Sequence, residues 1–351
     1  METNKRLIFP VKLLPLLNRE ENVVLSPYGM KSILSMVAEG ARDESLEQIL
    51  YVFGFESLEE LRESVLAVQD ARCSAFNSDN SIKLHKGEES LELLSKFKQI
   101  LEERYNAFIT ECVNSGEATL LLENVANFKA EWFHSMDRDA SHKICFHNAD
   151  GSESYPAFLS ATRDYLRYYD NEDDKYIQAV AIPYKLKNER IPYELVLVDS
   201  KNELTGEVLE LVFNNMRLER CELFFPEFSA KTKYDLVSVM KCLGLNTIFT
   251  PDFPGFDKMA TQPLYAERFT QEAEIEVDKN GTVAKAVTRM NCFLGGCINV
   301  AEKLVFNKPF HYFLRNTTTG EIVFMGKINK LEDCNRTEQV VVPTLFDRVF
   351  V

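Results

Sequence analysis

The chain lacks any apolar run approaching the ~20 residues that a membrane-crossing helix needs, so a helical membrane span is not expected. Positive charge is in short supply. Lys and Arg number 40 against 54 Asp and Glu, a formal net charge of −14. Phosphate-backbone binding takes its affinity from clustered Lys and Arg, so nucleic acid is not an expected partner. Glycine and proline number only 14 and 12, and nowhere gather into a linker. There is no G-x-S-x-G elbow, and none of the five histidines lies in a recognisable catalytic motif. Neither an enzyme nor a cofactor is expected.

Cysteine is present but not organised. Eight residues, at 73, 112, 145, 221, 242, 292, 297 and 334, are scattered and read as free thiols. His142, Cys145 and His147 in SHKICFHN are close enough for a metal. No second pair at zinc-finger spacing completes the set, so the segment reads as a surface strand and no metal site is expected. Cys292 and Cys297 read as two unpaired thiols rather than a redox switch. The opening METNKRLIFPVKLLPLLNRE has Pro10, Lys12 and Pro15 within its apolar core and no small-residue cleavage site after it. It reads as an amphipathic helix and not a secretory leader. A cytoplasmic location is the expectation, an extracellular one the alternative.

Core material is ample, at 45% hydrophobic residues. The first third reads as helical. Ser26 followed by Pro27 predicts a helix start, with a capping hydroxyl and then a ring that needs no amide donor. Met30, Ile33, Leu34 and Val37 follow at helical spacing. Ser57 and Glu60 form a capping box ahead of Leu61, Val65 and Leu66, and Leu91, Leu94, Phe97, Ile100 and Leu101 mark another amphipathic helix. After about residue 118 strand signals dominate: Leu120–Phe128, Tyr176–Tyr184, Tyr193–Val198, Cys221–Phe228, Lys303–Leu314 and Glu321–Lys327. Two helices interrupt them, near 206–217 and 234–243, the latter closed by Gly244. Helices first and strands later, without regular alternation, predict an α+β fold. One domain over 1–330 is expected, with 331–351 as a C-terminal extension.

The segment DKNGTVAKAVT at 278–288, followed by FNKPF at 306–310, carries the most information. No charged residue lies between Met290 and Ala301. In a strand, successive side chains point to opposite faces. Stepping by two from Thr282 gives Thr282, Ala284, Ala286, Thr288, Met290, Cys292 and Leu294, which are small, then apolar, with no charge. The other set holds both charges, Lys285 and Arg289. A shift of one residue would bury those charges at several kcal/mol each. The loop is therefore able to enter a sheet as a strand, although an ordinary edge strand shows the same alternation. Gly281 gives backbone freedom at its base.

Six segments in order resemble the serpin family: ENVVLSPYGMKSILSMVAEGA (21–41), LENVANFKAEW (122–132), YDLVSVMKCLGL (234–245), the hinge at 278–288, FNKPFHYFL (306–314) and FMGK (324–327). The resemblance runs from residue 20 to about 330. It implies N-terminal helices packed on a large mixed or antiparallel main sheet, smaller sheets, and an exposed reactive loop at about 279–303. It implies protease inhibition by a suicide-substrate route. The loop is cut, its freed segment inserts into the main sheet, and the acylated protease is carried with it in a covalent complex. The inhibitor is expected to act as a monomer. A non-inhibitory serpin (a substrate, chaperone or ligand carrier) is the alternative.

By the same resemblance, Gly281, Thr282, Ala284, Ala286 and Thr288 form the reactive-loop hinge. Counting from Gly281 and from Phe310 brackets the scissile bond within Leu294, Gly295, Gly296, Cys297 and Ile298, with Phe293 and Leu294 as subsite contacts. No Arg or Lys lies in that window, so a papain-like cysteine protease or a chymotrypsin- or elastase-like serine protease is the expected target. Ser26, Asn124, Trp132 and Gln271 match the cluster where the sheet opens, Gln271 standing where the family usually has histidine. Lys279 and Asn280 replace the family's acidic pair before the hinge glycine. The family's helix across the front of the main sheet has no room between Phe108 and Leu120.

Overall fold

The computed structural model describes residues 5–334 except 18–19, 70–74, 87–90, 114–118, 135, 139–143, 172–176, 188, 252, 254, 261–262 and 283–301. The chain opens with α1 (Lys5–Leu13), β1 (Val23–Leu25), α2 (Pro27–Ala38), α3 (Asp43–Phe53) and α4 (Leu58–Gln69). Next come β2 (Phe76–Lys86), α5 (Leu91–Tyr105), β3 (Ile109–Val113), β4 (Thr119–Phe128), β5 (Ala130–Trp132) and β6 (Asp137–Arg138). A small hairpin, β7 (Phe146–His147) and β8 (Glu153–Ser154), precedes the long strands β9 (Phe158–Asn171), β10 (Ile177–Leu186) and β11 (Glu189–Ser200). After α6 (Gly206–Asn215) follow β12 (Arg217–Pro226), β13 (Phe228–Asp235) and α7 (Val237–Cys242). β14 (Tyr265–Asp278), β15 (Gly281–Thr282), β16 (Glu302–Val305), β17 (Phe310–Asn316) and β18 (Ile322–Ile328) complete the described chain.

The helix signals act as expected. Ser26 is extended at φ −113° and its hydroxyl accepts the Gly29 amide, with Pro27 in the first turn. Every residue of α2 is buried, as expected of a helix enclosed on all sides. It packs against β2 and β4 of the main sheet and against β18. The capping box of α4 is half formed. The Glu60 amide donates to Ser57 Oγ at 3.2 Å, but the Glu60 carboxylate accepts from the Glu56 amide rather than from Ser57. The N-terminal segment is a helix that buries Leu7, Phe9 and Leu13, Phe9 meeting Phe53 of α3 edge to face at 4.5 Å.

Five strands form the main sheet in the order β3-β2-β4-β14-β13. β2 and β4 are antiparallel, β13 and β14 are antiparallel, and the central pair β4 and β14 is parallel. The sheet continues through β5, β10, β11, β17, β18 and β1, with β9, β12 and β16 as a side branch. This mixed sheet with helices behind it is the expected α+β architecture.

Three details differ from the sequence reading. Strands begin earlier than residue 118, with β2 and β3 inside the first third. The run Cys221–Phe228 is split between β12 and β13, with Pro226 and Glu227 at the junction. The run Lys303–Leu314 is two strands, β16 and β17, parted at Phe306–Pro309. Proline cannot donate to a ladder, and each break falls at or beside one.

Candidate functional site: the sheet opening and the loop hinge

A parallel pair at the centre of a mixed sheet has no hairpin joining its two strands, so β4 and β14 are held together by their ladder and by what bridges it. At mid-length the bridge is polar. Gln271 of β14 faces Asn124 of β4. The Gln271 amide nitrogen donates to Asn124 Oδ1 at 2.9 Å and to the Ser26 carbonyl at 2.9 Å. Its oxygen accepts the Ser26 amide at 2.8 Å. Asn124 Nδ2 donates to Ser78 Oγ at 2.9 Å and to Asn80 Oδ1 at 2.8 Å. Asn80 in turn donates to Ser32 Oγ of α2 at 2.8 Å. Ser26 Oγ, besides capping α2, donates to the Val323 carbonyl at 2.7 Å.

The network ties the start of α2 to three strands of the main sheet and to β18. Ser26, Asn124 and Gln271 are all buried, where a polar group left without a partner is costly. The backbone of α2 approaches Asn124 so closely that a Cβ at Gly29 would lie 2.1 Å from Asn124 Oδ1.

A second group lies at the end of the gap. Asp278 closes β14, and its carboxylate accepts the amides of Asn280 at 2.7 Å and Gly281 at 3.1 Å. The Asn280 side chain donates to the other carboxylate oxygen at 3.0 Å. This turn reverses the chain, so that β15 runs antiparallel to β14, pairing Thr282 with Val277 and Gly281 with Asp278. On its other edge β15 pairs antiparallel with β5, Thr282 with Ala130 and Gly281 with Glu131. Gly281 and Thr282, two of the residues expected at the hinge, are thus seated between β14 and the strand that continues β4.

The local chemistry explains why those two residues fit. Gly281 has φ +146°, and a Cβ there would lie 2.1 Å from the Ala130 carbonyl oxygen. Only glycine adopts that geometry in that space. Thr282 is 1% exposed, and its hydroxyl lies 2.7 Å from the Tyr184 hydroxyl. Burial pushes the Tyr184 phenol well above its ordinary range while the Thr282 contact pulls it down, so Tyr184 stays protonated. Trp132 stacks on Tyr184 at 4.7 Å and 17°, and its indole N–H donates to the Asp278 carbonyl at 2.8 Å.

Of the sequence-predicted residues, Ser26, Asn124 and Gln271 are joined directly, while Trp132, Gly281 and Thr282 form the second group. Ala284, Ala286, Thr288, Phe293, Leu294, Gly295, Gly296, Cys297 and Ile298 lie outside the described residues. Sequence reading missed Tyr184, Asp278, Ser78, Asn80 and Gly29. A signal for two of them exists: the inward set of β2 runs Ser78, Asn80, Ile82, Leu84, polar only where it meets Asn124.

The comparison with known families settles the class. The model of the family described as Serpin (serine protease inhibitor) matches residues 8–115 and 106–331. The chain belongs to the serpin family. Protease inhibition is its function at the family level, and serpins are generally inhibitors rather than catalysts. An uncharacterized serpin-like protein of Thermococcus kodakarensis is 25% identical, over 91% of this chain and 83% of that one. The superinfection exclusion protein of vaccinia virus is 31% identical over 58% of this serpin and 55% of that protein. In fold, the chain is similar to the native state of tengpin, a thermophilic serpin, with a TM-score of 0.77, 21% identity and 93% of each chain covered.

The connection from β3 to β4 is short. Residues 114–118 alone separate β3 from β4, too few for a helix to cross the sheet. Val125 on the front of β4 is 45% exposed. Around it, Lys83 pairs with Glu123 at 2.7 Å, and Lys231 with Glu272 at 3.2 Å and Glu274 at 2.9 Å. These exposed pairs contribute little stability. A cleft of about 200 Å³ lies among Asp79, Glu123, Val125, Thr270 and Glu272.

Proposed function

We propose that this serpin is an inhibitor that traps a protease by cleavage and insertion of its reactive loop. Strand addition by a serpin loop is a standard example of sheet augmentation. The observation that supports it here is the seating of Gly281 and Thr282 between β14 and β5. Carried on without a bulge, the β14 ladder places Ala284, Ala286 and Thr288 opposite Ile275, Ala273 and Gln271. The β5 ladder, carried into β4, places the same three opposite Phe128, Ala126 and Asn124. The two ladders agree, because Ala273 faces Ala126 and Gln271 faces Asn124 in the existing parallel pair. All six facing residues are buried, so the uncharged set of the loop turns inward and Lys285 and Arg289 turn to solvent.

Insertion exchanges one parallel ladder for two antiparallel ones. At about 1 kcal/mol net per hydrogen bond, a strand that gains ~10 bonds supplies ~10 kcal/mol before burial is counted. Thr288 arrives between Gln271 and Asn124 and displaces their hydrogen bond, so the polar bridge is the lock that insertion opens. Among the described residues no helix lies between β3 and β4, which spares the loop an element that it would otherwise have to pass. The target is a papain-like or a chymotrypsin- or elastase-like protease. The inhibitor acts as a monomer, with one protease held per cut loop.

The test is to nick the loop with a papain-like protease, locate the cut by mass spectrometry, and compare thermal melts. A cut within 294–299 and a large upward shift of the melting temperature are expected. A cut in that window with an unchanged melt would assign the chain to the non-inhibitory serpins.

A further inference from the structure

The hairpin β7–β8 presents two unlike faces. One is an anchor. Phe146, Asn148 and Ser154 are buried. Asn148 Oδ1 accepts the Leu331 amide at 2.9 Å, and the Ala149 amide donates to the Asn329 carbonyl at 2.8 Å. The turn is fixed by Gly151 at φ +81° and by Asp150, whose carboxylate accepts the Ser152 amide at 2.9 Å. A further tie holds the first strand: the His147 amide donates to the Asn307 carbonyl at 2.9 Å, and Asn307 Nδ2 donates to the Cys145 carbonyl at 3.3 Å.

The other face carries donors. Because side chains alternate along a strand, Cys145 and His147 stand on the same side, and Glu153 faces His147 directly across the ladder. The Cys145 sulfur, a ring nitrogen of His147 and a carboxylate oxygen of Glu153 lie within 4.8 Å of one another. His147 Nδ1 is 3.4 Å from Glu153 Oε1. Among the described residues no other group of three such donors converges.

We propose that Cys145, His147 and Glu153 form a binding site for a zinc-class divalent transition metal, with the fourth position taken by water. Zinc is held at about 2.3 Å from sulfur and about 2.0–2.2 Å from nitrogen and oxygen, in a tetrahedron whose corners are roughly 3.3–3.8 Å apart. The His147–Glu153 pair stands at that spacing, the Cys145 sulfur lies within 4.8 Å of both, and side-chain rotation would bring it in. The thiolate and imidazole select zinc over calcium or magnesium, which take oxygen ligands. The rigid, anchored backbone keeps the ordering cost of binding small. This site departs from the sequence expectation of no metal. The third donor, Glu153, comes from the return strand, and only the hairpin register brings it opposite His147.

The test uses the full, untagged chain stripped with chelator. Cobalt(II) is titrated as a spectroscopic probe, and zinc is titrated in competition with a chromophoric chelator. One equivalent of cobalt with a sulfur-to-metal charge-transfer band in the near ultraviolet is expected. Cys145→Ser abolishes the band, and His147→Ala and Glu153→Gln each weaken zinc binding at least tenfold. All three variants are expected to melt like the parent in chelator, because their side chains lie on the outer face. Binding without a sulfur band, a band that persists in Cys145→Ser, or unchanged zinc affinity in His147→Ala would overturn the assignment.

Discussion

The hydroxyls of Thr282 and Tyr184 lie 2.7 Å apart in a site where Thr282 is 1% exposed. The first residue of the proposed inserting strand therefore already has its partner inside the sheet. Thr282→Arg forces a charge into this site, where burying it costs several kcal/mol. We expect the variant to lose covalent complex formation while its loop is still cut, which a denaturing gel reads directly. Undiminished complex in this variant would mean that the insertion register is wrong.

Gly281→Ala tests the seating of the hinge. Its φ of +146° and the 2.1 Å approach of a Cβ to the Ala130 oxygen leave no room for a methyl group. The hinge is expected to leave the sheet. That breaks the Thr282–Tyr184 contact and costs about 1–3 kcal/mol. Trp132, the only tryptophan, stacks on Tyr184 and bonds the Asp278 carbonyl, so its fluorescence reports the change.

Gln271→Ala removes the bridge between Ser26 and Asn124. The Ser26 amide and the Asn124 carbonyl oxygen lose their partners while buried, at about 1–3 kcal/mol each. Lower stability in denaturant is expected, together with faster loop insertion after cleavage, because the lock between β4 and β14 is weaker. An equally stable variant would mean that the bridge does not hold the sheet closed.

His311 gives a pH dependence with a definite sign. Burial, with a smaller contribution from Lys327, lowers its pKa from 6.5 to about 3. The unfolded chain thus takes up a proton near pH 6.5 that the folded chain refuses. Stability from this group is intact above pH 6.5 and falls as the pH drops from 6.5 toward 3, by roughly 1.4 kcal/mol per unit. His311→Gln should lose less stability between pH 7 and 5 than the parent, measured by denaturant midpoints.

The helices and the hydrophobic strands were legible because their signals are local. Ser26–Pro27 starts α2, and the apolar runs of β4, β10 and β11 stand out. β14 was not legible, although it forms half of the site. Its outward positions carry Arg268, Glu272, Glu274 and Glu276, exposed or half-exposed among the described residues. The charges hide the alternation of Phe269, Ala273, Ile275 and Val277. β2 is masked in the same way by Asn77, Asp79 and Lys83. The glycine at 281 and the strict alternation that follows it were legible, because both are sequence properties. Tyr184 and Asp278 were not, because their roles depend on which strands meet.

In the proposed mechanism the loop at 282–294 becomes a strand between β4 and β14 with the protease attached. The most direct measurement is incubation with papain-like, chymotrypsin-like and elastase-like proteases, followed by denaturing gels. With at least one of them, a band at the summed mass of the protease and the N-terminal fragment of the cut chain is expected to survive denaturant, the short C-terminal fragment having separated. Clean cleavage between 294 and 299 with every protease, and no such band, would contradict it.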